Sequence, residues 1–265
     1  MIVPSREAAF GDERQATIAE YVTTRGRARI TELAAMTGVT EVTVRKDLRA
    51  LQDRGVLKRT HGGAIALTPL VERELAGRQA SNQEAKAAIA RRCAELVGAG
   101  ESVFLDSGTS VDAVAQALLA DPVTTPANLT VLTNALSVVE RTAEAPGVDH
   151  VLLGGELRRS SRSLVGPLAL HCLQRFTVGI AFIGVSGFAE GGISVSSVGE
   201  AEVKACAIEN ARKVVVPLEH TKVGATDFAR ICGLDEIDVV VMDKRVPAVE
   251  DLCAAHGVEL LIAND

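Results

Sequence analysis

The chain has 265 residues, enough for one small and one larger domain, and its 47% hydrophobic and 23% charged content excludes an intrinsically disordered protein. Its start lacks the basic-then-apolar layout of a signal peptide, and no apolar run approaches the ~20 residues of a membrane helix, so a cytoplasmic protein with no membrane partner is expected. The formal net charge of −6 is unevenly spread: residues 1–67 carry 11 Lys and Arg against 8 Asp and Glu, leaving a basic head on an acidic body. Such a split assigns any contact with nucleic acid to the head.

A first helix is expected from Asp12 to Arg25, with Ile18, Tyr21 and Val22 on one face and Gly26 as its stop. The run Ala28-Arg29-Ile30 reads as a short strand. Thr31 is expected to cap a second helix, Glu32–Met36, that ends at Gly38. Thr40 then caps a third helix reaching Arg54, with Val44, Leu48 and Leu51 facing inward and Gly55 ending it. Helix, glycine turn and helix form a helix-turn-helix, whose second helix is built to enter the major groove of double-stranded DNA. Thr40, Thr43, Arg45, Lys46 and Arg49 are its candidate DNA contacts, with Arg45 and Arg49 four apart on one face. Two strands around Gly62-Gly63 read as a wing carrying Lys58, Arg59 and His61 toward the phosphate backbone or minor groove. A solubilising cationic face would use the same residue types, but it would need neither the caps nor the turn.

The segments Ile30–Ala34, Val39–Leu48 and Leu57–Ala64 closely resemble the DNA-binding signature of the DeoR family of transcriptional regulators. That family usually has two arginines before Asp-Leu, where this chain has Arg45-Lys46. The change keeps the charge and gives up one bidentate fork, so Lys46 is expected on a phosphate and not on a base. The resemblance also implies that Asp47 orients a neighbouring basic residue and does not meet DNA itself.

After the head at residues 1–67, a linker is expected over 68–80 and a second domain over 81–265, with a helix from Glu74 to Leu96 containing Asn82, Glu84 and Lys86. Strands are expected at Ser102–Leu105, Thr130–Leu132, His150–Leu153, Ile180–Gly184, Val214–Val216, Val239–Met242 and Leu260–Ile262. Helices fit Val111–Leu119, Leu136–Ala143, Leu168–Gln174, Val198–Asn210 and Val249–Ala255. This alternation implies an α/β fold: a small winged helix-turn-helix followed by a larger, mostly parallel, Rossmann-like domain that binds ligands beyond the carboxyl ends of its strands.

Five polar loops fall at those strand ends. The first is Asp106-Ser107-Gly108-Thr109-Ser110, where backbone N–H groups at a helix start and two hydroxyls suit a phosphate, and Asp106 suits a sugar hydroxyl. The others offer Thr133 and Asn134; Gly154 and Gly155, where backbone can approach a ligand; Ser186 and Gly187; and Lys222 and Gly224. Glu200 and Lys204 open a nearby helix. The order resembles the DeoR-family sensor domain, itself similar to the ribose-5-phosphate isomerase fold, over residues 80–245. The resemblance implies a phosphorylated sugar as effector and a homodimer or homotetramer. Where the family often has Asp-Ser-Ser/Thr-Lys, this chain has Glu219-His220-Thr221-Lys222.

Cys93, Cys172, Cys206, Cys232 and Cys253 are scattered without a C-x-x-C pair, so they read as reduced, buried thiols, and neither a metal nor a cofactor is expected. Two other readings stay open. An isomerase with a DNA-binding head would need a base and an enediolate stabiliser, but Gly184-Val185-Ser186-Gly187 stands where pentose-phosphate isomerases carry an acidic run. An effector-blind oligomer would need no coherent set of polar loops.

Overall fold

The computed structural model describes residues 6–25, 27–54, 56–60, 62–66, 77–119 and 125–264; Gly26, Gly55, His61 and the expected linker through residue 76 lie outside them. The chain forms two compact units, Met1–Ala76 and Gly77–Asp265.

In the first unit, helix α1 (Arg6–Arg25) starts earlier than the expected Asp12 and leads into strand β1 (Arg27–Arg29). Helix α2 spans Ile30–Thr37, which corrects the expected Thr31 cap: the N-cap is Arg29 and Thr31 lies inside the first turn. The helix starts without a hydroxyl because its early donors already have partners. Arg29 N–H donates to Glu32 Oε2 at 2.9 Å, and Ile30 N–H to Gly62 O at 2.9 Å. Gly38 closes α2 at φ 68°, donating its N–H to Ala34 O, the left-handed stop that glycine permits.

Helix α3 (Glu41–Asp53) has the expected cap, Thr43 N–H donating to Thr40 Oγ1 at 3.3 Å. Strands β2 (Leu57–Thr60) and β3 (Gly63–Ala66) form the wing, and β1 completes an antiparallel sheet in the order β1-β3-β2. Gly63 has a steric reason to be glycine, since a Cβ there would lie 2.0 Å from Ala28 O. Ile18, Val22, Leu33, Val44, Leu48, Leu51 and Leu57 bury the apolar faces of α1, α2 and α3 against this sheet.

The second unit holds a seven-stranded parallel sheet in the order β15-β14-β12-β9-β4-β5-β6. Its strands are β4 (Ser102–Leu105), β5 (Leu129–Thr133), β6 (Val148–Leu152), β9 (Val178–Phe182), β12 (Ala211–Leu218), β14 (Val239–Met242) and β15 (Glu259–Ile262). Helices are α4 (Gln83–Ala94), α5 (Thr109–Leu119), α6 (Leu136–Thr142), α7 (Pro167–Leu173), α8 (Val198–Glu209) and α9 (Pro247–His256). Side chains alternate across the sheet into two cores. Val103 and Leu105 pack with α4 and α5, whereas Phe104 packs with α7 and α8. Burial on both faces explains why inner strands such as β4 and β14 read as continuous apolar runs.

The expected continuous helix from Glu74 to Leu96 is corrected: α4 begins at Gln83, behind Asn82 at φ 51°, a left-handed residue that no helix interior accommodates. Five strands had no counterpart among the expected elements. β7 (Glu156–Arg158) and β8 (Ser163–Val165) form a hairpin, and β10 (Gly187–Ala189), β11 (Gly192–Val195) and β13 (Ala229–Cys232) form a small antiparallel sheet.

Candidate functional site

The outward face of α3 is the first candidate surface. Arg45, Lys46 and Arg49 are exposed on it, and the helix turns its other side, Val44, Leu48 and Leu51, into the core. Thr40 and Thr43 are engaged in the cap, with their hydroxyls 3.0 Å apart. Arg45 Nη2 donates to Glu41 Oε2 at 2.7 Å, an exposed pair that holds the guanidinium without quenching it. Asp47 is buried and grips α1: Arg14 Nε donates to its Oδ2 at 2.7 Å and Gln15 Nε2 to its Oδ1 at 2.9 Å. The basic residue that Asp47 orients is therefore Arg14, which fastens α1 behind α3 and raises the Arg14 pKa through that hydrogen bond.

On the wing, Lys58 points out on β2, while Arg59 is half-buried and its N–H donates to Gln52 Oε1 at 2.9 Å. Val42 escaped the sequence reading. It is 72% exposed and lies in one stripe with Arg45, Lys46 and Arg49, an apolar contact suited to a thymine methyl. The signal was an apolar residue out of phase with the buried stripe.

The second candidate site lies at the carboxyl ends of β4, β5, β9 and β12. Asp106 ends β4 fully buried; its Oδ2 pairs with Lys204 of α8 and accepts the Gly184 N–H at 2.9 Å. Gly184 must be glycine, since a Cβ would sit 2.5 Å from Ser107 O. Burial pushes the Asp106 carboxyl above its ordinary range, opposed by the Lys204 charge and the Gly184 N–H. Asp106 is thus committed to protein partners, which corrects its expected role as a free acceptor for a sugar hydroxyl.

At the second residue of α5, Ser110 Oγ donates to Glu219 Oε1 at 3.1 Å, and Lys222 Nζ lies 3.1 Å from Ser110 Oγ and 3.3 Å from Glu219 Oε1. Lys86 of α4 stands 4.0 Å from the same carboxylate oxygen, and Asn82 Nδ2 donates to its partner oxygen at 2.9 Å. Burial lowers the pKa of Lys222, and the neighbouring Lys86 and Lys204 lower it further while Glu219 opposes them. Burial likewise lowers Lys86. A cavity of about 700 Å³ lined by Gln83, Lys86, Thr109, Asp112 and Arg141 shares Lys86 with this cluster.

Thr133 Oγ1 donates to Leu105 O at 2.5 Å, locking β5 to β4. Asn134 Nδ2 donates to Leu164 O at 3.3 Å, while its buried Oδ1 has no hydrogen-bond donor among the described residues. Gly108 and Thr109 are half-buried at the start of α5. Glu200 stands one turn from Lys204 on α8 and accepts from Arg158 Nε of β7 at 3.1 Å.

Of the remaining expected residues, all but Gly154 pack or hydrogen-bond against other parts of the chain. Gly155, at φ 147°, makes room for Val165 O, 2.7 Å from where its Cβ would be, so β8 and not a ligand needs that glycine; Gly154 faces open space. Gly187 makes room for Ala225 O and Ser194 Oγ, Ser186 Oγ donates to Asp227 Oδ2 at 2.7 Å, and Gly224 donates its N–H to Phe188 O at 2.8 Å. These three secure the small antiparallel sheet. Lys86, Asn82 and Glu219 join the cluster although the sequence reading did not place them there.

Four of the five cysteines are buried, and Cys172 is half-buried, short of the expected full burial. Burial pushes the Cys232 thiol up to about 12 and the Cys253 thiol up to about 11.

Residues 14–69 match the DeoR-like helix-turn-helix domain, and residues 81–244 match the DeoR C terminal sensor domain. The chain is 33% identical to the HTH-type transcriptional repressor GlcR of Bacillus subtilis, across 96% of this chain and 97% of that one. It is 33% identical to the HTH-type transcriptional regulator GlpR of Haloferax volcanii, across 89% and 91% of the two chains. The lactose phosphotransferase system repressor of Staphylococcus aureus (strain N315) is 32% identical across 87% of this chain and 91% of its own. Ribose 5-phosphate isomerase A from Methanocaldococcus jannaschii superposes with a TM-score of 0.40 at 18% identity, over 54% of this chain and 55% of that one. With both family domains matched and full-length relatives at this identity, the chain belongs to the DeoR family of transcriptional regulators.

Proposed function

We propose that the protein is a repressor of a carbohydrate-metabolism operon that binds double-stranded operator DNA through α3 and the β2–β3 wing, its affinity modulated by a phosphorylated sugar. The names of its relatives, repressors associated with sugars, support the first half. One observation carries the second: three lysines, Lys86, Lys204 and Lys222, share the strand ends with two carboxylates, Asp106 and Glu219, beside the N-terminus of α5. A buried cluster short of one negative charge, at a helix end whose first N–H groups seek acceptors, favours an anion. Asn134 Oδ1 supplies an acceptor for a hydroxyl of the same ligand.

Both carboxylates of the cluster are engaged by lysines, which favours a binder over a catalyst needing a free base. The effector domain, residues 81–265 in this reading, also joins the protein into a homodimer or homotetramer that presents two heads to repeated half-sites, and the ligand favours one arrangement over the other. Repression relieved by the ligand is the expected sign.

The test is thermal stabilisation of the full chain by a panel of sugar phosphates, each paired with its free sugar. A ligand at ~100 times its dissociation constant stabilises the native state by about 2.7 kcal/mol. A shift with one phosphorylated sugar and none with its free form supports the reading. Silence across the panel removes the phosphorylated effector and leaves the DNA-binding half standing.

A further inference from the structure

Glu219 is 3% exposed and holds the place an incoming anion would want. Ser110 Oγ donates to its Oε1 at 3.1 Å, Lys222 Nζ lies 3.3 Å from that oxygen, and Lys86 Nζ 4.0 Å. Its other oxygen accepts from Asn82, 137 positions earlier. Asn82 is the N-cap of α4, but its side chain makes no capping bond to the helix; the amide reaches Glu219. Lys86 Nζ in turn donates to Arg78 O and, at 2.7 Å, to Ser81 O. The opening of the second unit, residues 78–86, is therefore tied through Asn82 and Lys86 to one carboxylate.

We propose that Glu219 is an internal counter-ion that the ligand's phosphate group displaces, and that its departure releases residues 78–86, where the chain enters the second unit. The inference rests on reading the strand ends as a phosphate site. The driving force is charge. Glu219 offers one negative charge to Lys86 and Lys222, whereas a phosphate near −2 balances both and places further acceptors at the α5 N-terminus. When Lys86 turns to that anion, Arg78 O and Ser81 O lose their donor, and Asn82 loses its acceptor when Glu219 leaves. Those residues follow directly on the segment from the first unit, so the release acts on the covalent joint between ligand site and DNA-binding head.

The experiment uses the full chain and inorganic phosphate, with chloride at matched ionic strength as control, and reads phosphate affinity together with hydrogen exchange. In the wild-type chain phosphate is expected to slow exchange around residues 107–112 and to speed it over 78–86. Glu219→Gln removes a negative charge and so tightens anion binding whatever its mechanism. The deciding variant is Asn82→Gly, which keeps every charge and tolerates the left-handed backbone. It is expected to bind phosphate about fivefold more tightly, because Glu219 is then less firmly held.

Unchanged or weaker affinity in Asn82→Gly, or phosphate binding that leaves exchange over 78–86 unmoved, overturns the displacement. If that binding is also lost in Lys222→Met, the phosphate site itself stands. Phosphate bound by no form of the chain removes both the site and the inference. Should Asn82→Gly fail to fold, Lys86→Met gives the same decision: it is expected to speed exchange over 78–86 without phosphate and to abolish the further rise with it. A phosphate-induced rise as large as that of the wild type overturns the inference.

Discussion

A carboxyl group sealed inside a protein costs far more stability charged than neutral, and Asp112 is such a group. Burial pushes it above the ordinary carboxylate value, against the hydrogen bond donated by Ser137 Oγ at 2.7 Å and the charges of Arg141 and Arg162. The folded chain keeps this proton at pH values where the unfolded chain has released it. Its contribution is therefore fully present below the ordinary value and is lost as pH rises through the raised one. Asp112→Asn should abolish that loss: the melting temperature of wild type relative to variant is expected to fall as pH rises above the ordinary carboxylate value of about 4. On α3, Arg49→Ala is expected to cost about 1–3 kcal/mol of operator affinity and relax preference at one base pair. Lys46→Ala should weaken all DNA similarly and reduce the salt slope by about 1, as a phosphate contact does. Binding isotherms on selected and scrambled duplexes at two salt concentrations separate the two roles. The cationic stripe was legible in the sequence because its residues sit out of phase with Val44, Leu48 and Leu51. The engagement of Asp106 was not, because its partner Lys204 lies 98 positions away and nothing local announces it.

Among the elements, those with strong periodicity or two buried faces were readable, and those defined by a partner were not. β4 and β14 stand where the sequence reading puts them because every neighbour of these apolar runs is a turn or a helix start. β7, Glu156-Leu157-Arg158, has one apolar residue between two charges and exists through its pairing with β8. β10 opens on a glycine, which strands ordinarily avoid, and owes its place to β11. The same logic moved the start of α2: pairing of Arg29 with Gly63 settles where extension ends, so no local cap was needed. This makes Gly63 decisive for the wing. Gly63→Ala would drive a methyl into Ala28 O, expected to cost about 1–3 kcal/mol and to weaken DNA binding without touching any cationic residue. A melting curve of the first unit's transition and an operator titration check both parts.

At the scale of the molecule, each unit has its own apolar core, the first built on Leu48, Leu51 and Val44 and the second split by the seven-stranded sheet. Leu48→Ala is therefore expected to cost the first unit about 2–5 kcal/mol while phosphate affinity of the chain stays as in the wild type. Calorimetry and phosphate titration of the same preparation would show it. The sheet order has a consequence in time. Its chain runs outward from β4 to β6, then returns to the middle to lay β9 against β4 and runs outward the other way. The crevice at that reversal needs Asp106 from the early half and Gly184, Lys204 and Glu219 from the late half. On a ribosome the head, built from neighbouring segments, can finish folding while most of the body is still unmade. During synthesis the DNA-binding face is thus completed before the crevice that is proposed to take the ligand. On the proposed function, a message cut short after the head would yield a fragment that keeps the cationic face of α3 and has no ligand crevice.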